Sequence, residues 1–425
     1  MKKALVAMTA AALLLTACGG GSGNDAGSDG SDVTLTLWHN STTGAGKQYW
    51  EDTTAAYTKE HPNVKFEVQA IQNEDMDGRL QTALNAGDAP DIFMARGGGK
   101  LADMVEAGQV MEMTDKIPDE LKQAFGDAGF DSVKVDDKIY GMPSSVLPGG
   151  IYYSKDLFAK AGIEETPTTM DELGATVDKL KKAGIEPIAL GAKDAWPAAQ
   201  WYYFFALRLC DKEQLTDVGN QDFSDPCWLK AGETLKAFAD TKPFNEGFLT
   251  TSAQQGAGSS AGMIANHKAA MELMGAWNPG VIEGLTPDGK PLADLGWFPF
   301  PAVDGGAGDP TAMMGGADAF ACHVEAPEAC ADFLNFTAQK QQQEDYADAF
   351  MTLPANTEAK GAVKDPALQD VLKAYEDSAY MVTWLDTLLG QNVGNAMNAG
   401  VVDMLAGQGD PQSIVDAIES ASAKG

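Results

Sequence analysis

Basic residues are scarce in this chain. Thirty Lys and Arg stand against 61 Asp and Glu, a formal net charge of −31. Such a surface repels phosphate backbones and argues against nucleic acid as a partner. It also disfavours anionic ligands unless a local basic pocket offsets it, and it serves solubility in general. Histidine and cysteine are few as well: four His (His39, His61, His267, His323), five Cys and no CxxC pair. Structural zinc sites draw on closely spaced ligands, so the pattern argues against one, and nothing implies a cofactor. Beyond the first 18 residues no apolar run approaches the ~20 residues that a transmembrane helix needs.

Those first residues, "MKKALVAMTAAALLLTAC", read as a secretory signal: a basic pair, a short apolar run and a small-residue cleavage site. "LTAC", Leu15 to Cys18, resembles a bacterial lipobox, which implies that Cys18 becomes the lipidated first residue. Residues 19–32, "GGGSGNDAGSDGSD", bury too little apolar surface to offset ordering entropy and read as a flexible tether. An anchor and a tether imply a protein held at the outer membrane surface and working in water. In that setting an even number of remaining cysteines implies disulfides. Sequence proximity favours Cys210–Cys227 and Cys322–Cys330 over the two other connectivities.

A chain of 425 residues with 44% hydrophobic content is a folded protein of two or three domains. "VTLTLW" and "VKFEVQAI" alternate as strands do, and a helix over 45–60, stopped by Pro62, separates them. A helix over 76–86 leads into the short strand of "GDAPDIFMA". The rhythm resumes with "GGIYYSK", "KDLFAKAG" and "TTMDELGATVDKLKKAG", where Thr169 and Glu172 have capping-box spacing and Gly184 suits the stop. "EPIALG" is the next strand. This is an α/β pattern, a sheet with helices packed on it.

The stretch "AWPAAQWYYFFALRLC", residues 195–210, carries six of the aromatic residues. Its body has almost no polar face, so Phe204 onward is core. Its start lies past the end of a predicted strand, where open α/β sheets bind ligands. Trp196, Gln200 and Trp201 are therefore candidates for a site.

"TLTLWHN", "GDAPDIF", "YGMPSSVLPGGIYYSKDLF", "AAMELMGAW", "GWFPFPA" and "LPANTEA", in this order, resemble the extracellular solute-binding proteins of bacterial ABC sugar importers, the group that includes maltodextrin-binding protein. "LWHNSTTGAGKQYWE" and "NEDMDGRLQTALNAGDAPDIFMARGGGK" look closest to xylobiose- and related oligosaccharide-binding lipoproteins. The resemblance implies a two-lobe periplasmic-binding-protein fold with the ligand cleft between lobes. Lobe 1 would comprise 33–145 and 299–352, and lobe 2 would comprise 146–298 and 353–425. It implies a monomer that passes a neutral oligosaccharide to permease subunits. It also implies ligand contacts at His39, Asn40, Ser41, Met94, Arg96, Trp277, Asn278, Asp318 and Trp384, with Trp277 of "MGAWN" stacking on a sugar ring.

Enzyme motifs are weaker. "GSSAG" matches G-x-S-x-G at Ser260, but polar, small residues precede it instead of a buried strand, which puts Ser260 in a loop. "RGGGK", Arg96 to Lys100, lacks P-loop spacing. Among 61 acidic residues nothing selects a catalytic pair. A surface glycoside hydrolase or esterase is the alternative, and a binding protein without enzymatic activity is the expectation.

Overall fold

The computed structural model describes residues 32–42, 44–216 and 223–424. Cys18 and tether residues 19–31 lie outside them. The alternation read in the first strand is the alternation of burial: in β1 (Val33–His39) Leu35, Leu37 and His39 face inward. Helix Gly44–Glu60 returns the chain to β2 (Val64–Ala70), and helix Asn73–Ala86 to β3 (Ile92–Met94), both parallel to β1. A small hairpin, β4 (Lys134–Val135) and β5 (Lys138–Ile139), precedes β6 (Met142–Val146). Two residues later β7 (Gly149–Ser154) belongs to another sheet with β8 (Glu186–Ile188), β9 (Ala269–Gly275) and β10 (Leu295–Phe298). Its order is β10-β7-β9-β8. A short parallel pair joins β11 (Met313–Gly315) to β14 (Met381–Thr383). β12 (Ala317–Cys322) and β13 (Leu353–Pro354) complete the first sheet, ordered β13-β6-β12-β3-β1-β2.

Each sheet carries its own apolar core, which makes the molecule a two-lobe α/β fold. The Thr169 capping box forms with Glu172, and Gly184 adopts φ 71° at the following stop. In helix Trp196–Leu209 every residue after Trp196 is buried. Trp201, a sequence candidate for the site, is core: it is 1% exposed and packs on Phe238, Phe244 and Phe300.

Two boundaries differ from the expectation. Residues 299–314 pack with the second lobe, because Phe300 stacks on Phe204 at 4.9 Å. The buried Arg208 guanidinium also donates to the carbonyls of Phe300, Pro301, Asp309 and Ala312. The chain re-enters the first sheet only at Ala317. It leaves later than residue 353, since β13 pairs with β6 and Thr357 Oγ1 donates to the Ala124 carbonyl.

Both expected disulfides are present, Cys210–Cys227 and Cys322–Cys330, with Cα separations of 5.2 and 6.0 Å. Each closes within one lobe.

Candidate functional site

One wall is built on two glycines facing each other across strands. Gly149 opens β7, Gly275 closes β9, and they are paired in register. A Cβ at Gly149 would lie 2.5 Å from Cη2 of Trp384, and one at Gly275 would fall onto the ring of Trp277. Gly316 sits equally close to the Trp384 indole, 2.7 Å from a built Cβ to Cδ1. Only residues without Cβ let the rings approach the backbone this far.

The rings form a row. Trp196 and Trp277 are 6.0 Å apart at 61°, and Trp277 and Trp384 are 5.9 Å apart at 68°, both edge-to-face. Trp196 and Trp277 are half-buried and Trp384 is 8% exposed. All three indole N–H groups lack a hydrogen-bond partner among the described residues, as does Oε1 of Gln200, one turn beyond Trp196. The buried indoles of Trp201, Trp228 and Trp297 share this, so it is the row of rings itself that suits this wall to a ligand with apolar faces.

The opposite wall comes from the ends of β1, β3 and β12. Arg96, held at φ 64°, donates from Nε to Asp77 Oδ1 at 3.2 Å and from Nη2 to Asn73 Oδ1 at 2.7 Å. Its Nη1 lies 3.9 Å from Asp318 Oδ1. Asn40 donates to the same Asn73 oxygen at 3.1 Å, and Lys100 donates to Asp77 at 2.8 Å. Burial alone would raise the Asp77 carboxyl, but Arg96 and Lys100 hold it well below the usual carboxylate range. Asp318 is pushed up by burial, with Arg96 opposing. The cationic group is thus already matched by carboxylates, which leaves little attraction for an anion.

Not every expected residue reaches this surface. His39 is 1% exposed, stacks on Trp50 at 5.5 Å and accepts from the Ser41 amide through Nδ1. Burial, with Lys47 nearby, pushes its pKa down to about 4, so it is neutral. Ser41 is half-buried beside it, whereas Met94 is 1% exposed within β3. Asn278 is fully buried: Nδ2 donates to Glu272 Oε2 at 2.8 Å, and Oδ1 has no partner among the described residues. It fixes the turn that carries Trp277. The sequence reading missed Asn73, Asp77, Lys100 and Glu272. Asn73 and Asp77 lie one helical turn apart, the only signal that pointed to them.

The lobes touch on both flanks of the cleft. Gln255 donates to Glu74 at 3.1 Å. A Cβ at Gly99 would lie 2.5 Å from the Leu388 carbonyl oxygen, and the Gln391 amide donates to Asp103 at 3.4 Å. "RGGGK" is therefore a close-packing surface between lobes. Asp386, on the second-lobe side, adds to the stabilisation of the Arg96 charge. A separate groove of about 830 Å³, lined by Tyr49, Asp52, Glu283, Asp348 and Asp365, contains none of the candidate residues.

Ser260 is not in a loop. It begins helix Ser260–Ala265, fully buried, and donates to the Ala253 carbonyl at 3.0 Å, while the His267 ring bonds Asp294. The serine and histidine are committed to other partners.

Residues 39–344 match the bacterial extracellular solute-binding protein family. An uncharacterized ABC transporter extracellular-binding protein of Pyrococcus horikoshii is 25% identical over 81% of this chain and 76% of its own length. The diacetylchitobiose binding protein DasA of Streptomyces coelicolor is 27% identical over 84% and 83%. A solved structure from work on xylan utilization by Caldanaerobius polysaccharolyticus superposes with a TM-score of 0.83 at 26% identity, covering 91% of this chain and 99% of that one. The family match takes in more than half of the chain, with strands of both sheets: the chain belongs to the bacterial extracellular solute-binding proteins.

Proposed function

We propose that this protein captures a short neutral oligosaccharide in the cleft between its lobes and delivers it to the permease of an ABC importer. The observation that carries this reading is the row Trp196–Trp277–Trp384 seated on glycines beside a polar wall. A pyranose ring has an apolar C–H face that lies on an indole and equatorial hydroxyls that take up polar partners. Across the cleft, Asn40, Asn73 and Asp77 supply such partners, and the charge-matched Arg96 disfavours acidic sugars. The similarity to the diacetylchitobiose-binding protein and to the xylan-utilization structure supports a short β-linked chain, with xylobiose as the first candidate. The protein works as a monomer, without catalysis, held at the extracellular face by a lipidated Cys18.

Calorimetry against xylobiose, diacetylchitobiose, raffinose and a uronic-acid-containing disaccharide tests the reading. Saturable heat with a neutral sugar and no released product is expected. Absence of binding to every neutral sugar, or tighter binding of the acidic one, overturns it. Cys18→Ser should release the protein from the membrane fraction. An unmodified mature N-terminus at another residue, seen by mass spectrometry, removes the anchor from the proposal.

A further inference from the structure

We propose that Asp156, His267 and Asp294 form a divalent metal site of zinc type that clips the second-lobe sheet at the end remote from the cleft. The sequence spacing argued against zinc because the histidines are scattered, but the fold gathers what the sequence separates. One ligand atom from each of the three residues lies within 4.8 Å of the others. Each residue sits at the same end of a different strand: Asp156 two residues after β7, His267 two before β9, and Asp294 immediately before β10. These are three consecutive strands in the sheet, β10-β7-β9.

The geometry suits an ion held by one imidazole and two carboxylates. His267 Nε2 lies 2.9 Å from Asp294 Oδ1, close to the roughly 3.3 Å between neighbouring donors on a tetrahedral zinc with bonds of about 2.0–2.1 Å. The other Asp294 oxygen is already fixed, accepting from the Ser154 hydroxyl and from the Asp156 amide. Such outer hydrogen bonds hold a ligating carboxylate in place before the metal arrives. Asp156 and His267 are exposed, so an ion can reach them from solvent. Lys155 and Lys268, adjacent in sequence, are exposed and form no ion pair with the cluster among the described residues. An imidazole in the donor set favours zinc, nickel or cobalt over magnesium or calcium. Three protein ligands leave a fourth position for water.

The site lies at the opposite end of β7 from Gly149 and the tryptophan row. Six residues at about 3.3 Å each separate the two by roughly 20 Å, so a metal here stabilises the lobe without entering the cleft.

The test titrates the full protein, disulfides intact, with ZnCl₂ and separately with MgCl₂ and CaCl₂, by calorimetry and thermal melting. One zinc per chain and a zinc-dependent rise in melting temperature are expected, with neither for magnesium or calcium. His267→Gln and Asp156→Asn, both on exposed side chains, should each weaken zinc binding at least tenfold and remove the thermal shift, with sugar affinity unchanged. Absence of saturable zinc binding overturns the proposal. So does a zinc response that persists in His267→Gln, which assigns the metal to other histidines. If one variant fails to fold, the other alone decides.

Discussion

Trp277 stands between two other indoles, 5.9 Å from Trp384 and 6.0 Å from Trp196, and packs against the glycine that precedes its turn. Its ring is half-buried, with an N–H that nothing among the described residues accepts. In the proposed reading this ring contributes more to a ligand than to the fold. Truncating a buried aromatic anchor costs ~2 kcal/mol or more, roughly 30-fold in affinity. Trp277→Ala should weaken sugar binding at least that much while the melting temperature of the ligand-free protein stays nearly constant. Parallel calorimetry and thermal melting check this. A large stability loss with unchanged affinity would return Trp277 to the core.

Gly275 tests the same wall from beneath. Its Cβ would collide with the Trp277 ring, and that of the paired Gly149 with the Trp384 ring. Gly275→Ala should displace the indole and reduce affinity at least tenfold, altering the near-ultraviolet circular dichroism without removing a contact atom. Wild-type affinity in Gly275→Ala sinks the claim that the ring's seat matters.

Local rules carried much of the fold. The alternation in β1, the Thr169 capping box and the apolar body of helix Trp196–Leu209 each follow from short-range periodicity, and each is seen. The tryptophan row was legible because Trp196 follows the predicted strand "EPIALG" and because Trp277 and Trp384 stand where the family resemblance implies ligand contacts. The polar wall was not. Asp77 and Arg96 meet across 19 residues, and that pairing arises from how helix Asn73–Ala86 packs beside β3, which no periodicity records. Residues 299–314 were misassigned for a similar reason: a single buried Arg208 draws four of their carbonyls onto the second lobe. Asn278 read as a hydroxyl partner from its position beside Trp277, but burial gives it to Glu272.

The two disulfides close loops of 17 and 8 residues. In the chain-entropy model each contributes on the order of 2–3 kcal/mol through the unfolded state. Replacing Cys322 and Cys330 together by Ala should lower stability by about that amount. Sugar affinity should hold, since both lie in the first-lobe core away from the candidate contacts. Chemical denaturation with calorimetry on the same sample separates the effects, and unchanged stability contradicts the assignment.

Glu272 links the cleft scaffold to pH. It is 1% exposed on β9, with Oε2 bonded to Asn278 and Oε1 without a hydrogen-bond partner among the described residues. Burial pushes its pKa up to about 7 from an ordinary 4.5, against the smaller opposing effects of Ser260 and Asn278. A carboxyl whose folded pKa is raised binds its proton more tightly in the native state. Stability is therefore lost as pH rises from the unfolded value of about 4.5 to about 7, and the loss is complete above that. At 1.36 kcal/mol per pKa unit, the full cost is about 3 kcal/mol. Asp77 and His39 act in the opposite sense, because both have depressed values whose stabilising contribution disappears on acidification. The wild-type profile is therefore a sum of opposing slopes, and the difference between two variants isolates Glu272. Glu272→Gln keeps an oxygen for the Asn278 amide but has no proton to lose. It should match wild type near pH 4 and exceed it by up to about 3 kcal/mol near pH 8. Denaturant titrations at both pH values measure this directly, and parallel pH profiles for the two proteins would show that the Glu272 carboxyl does not titrate in this window.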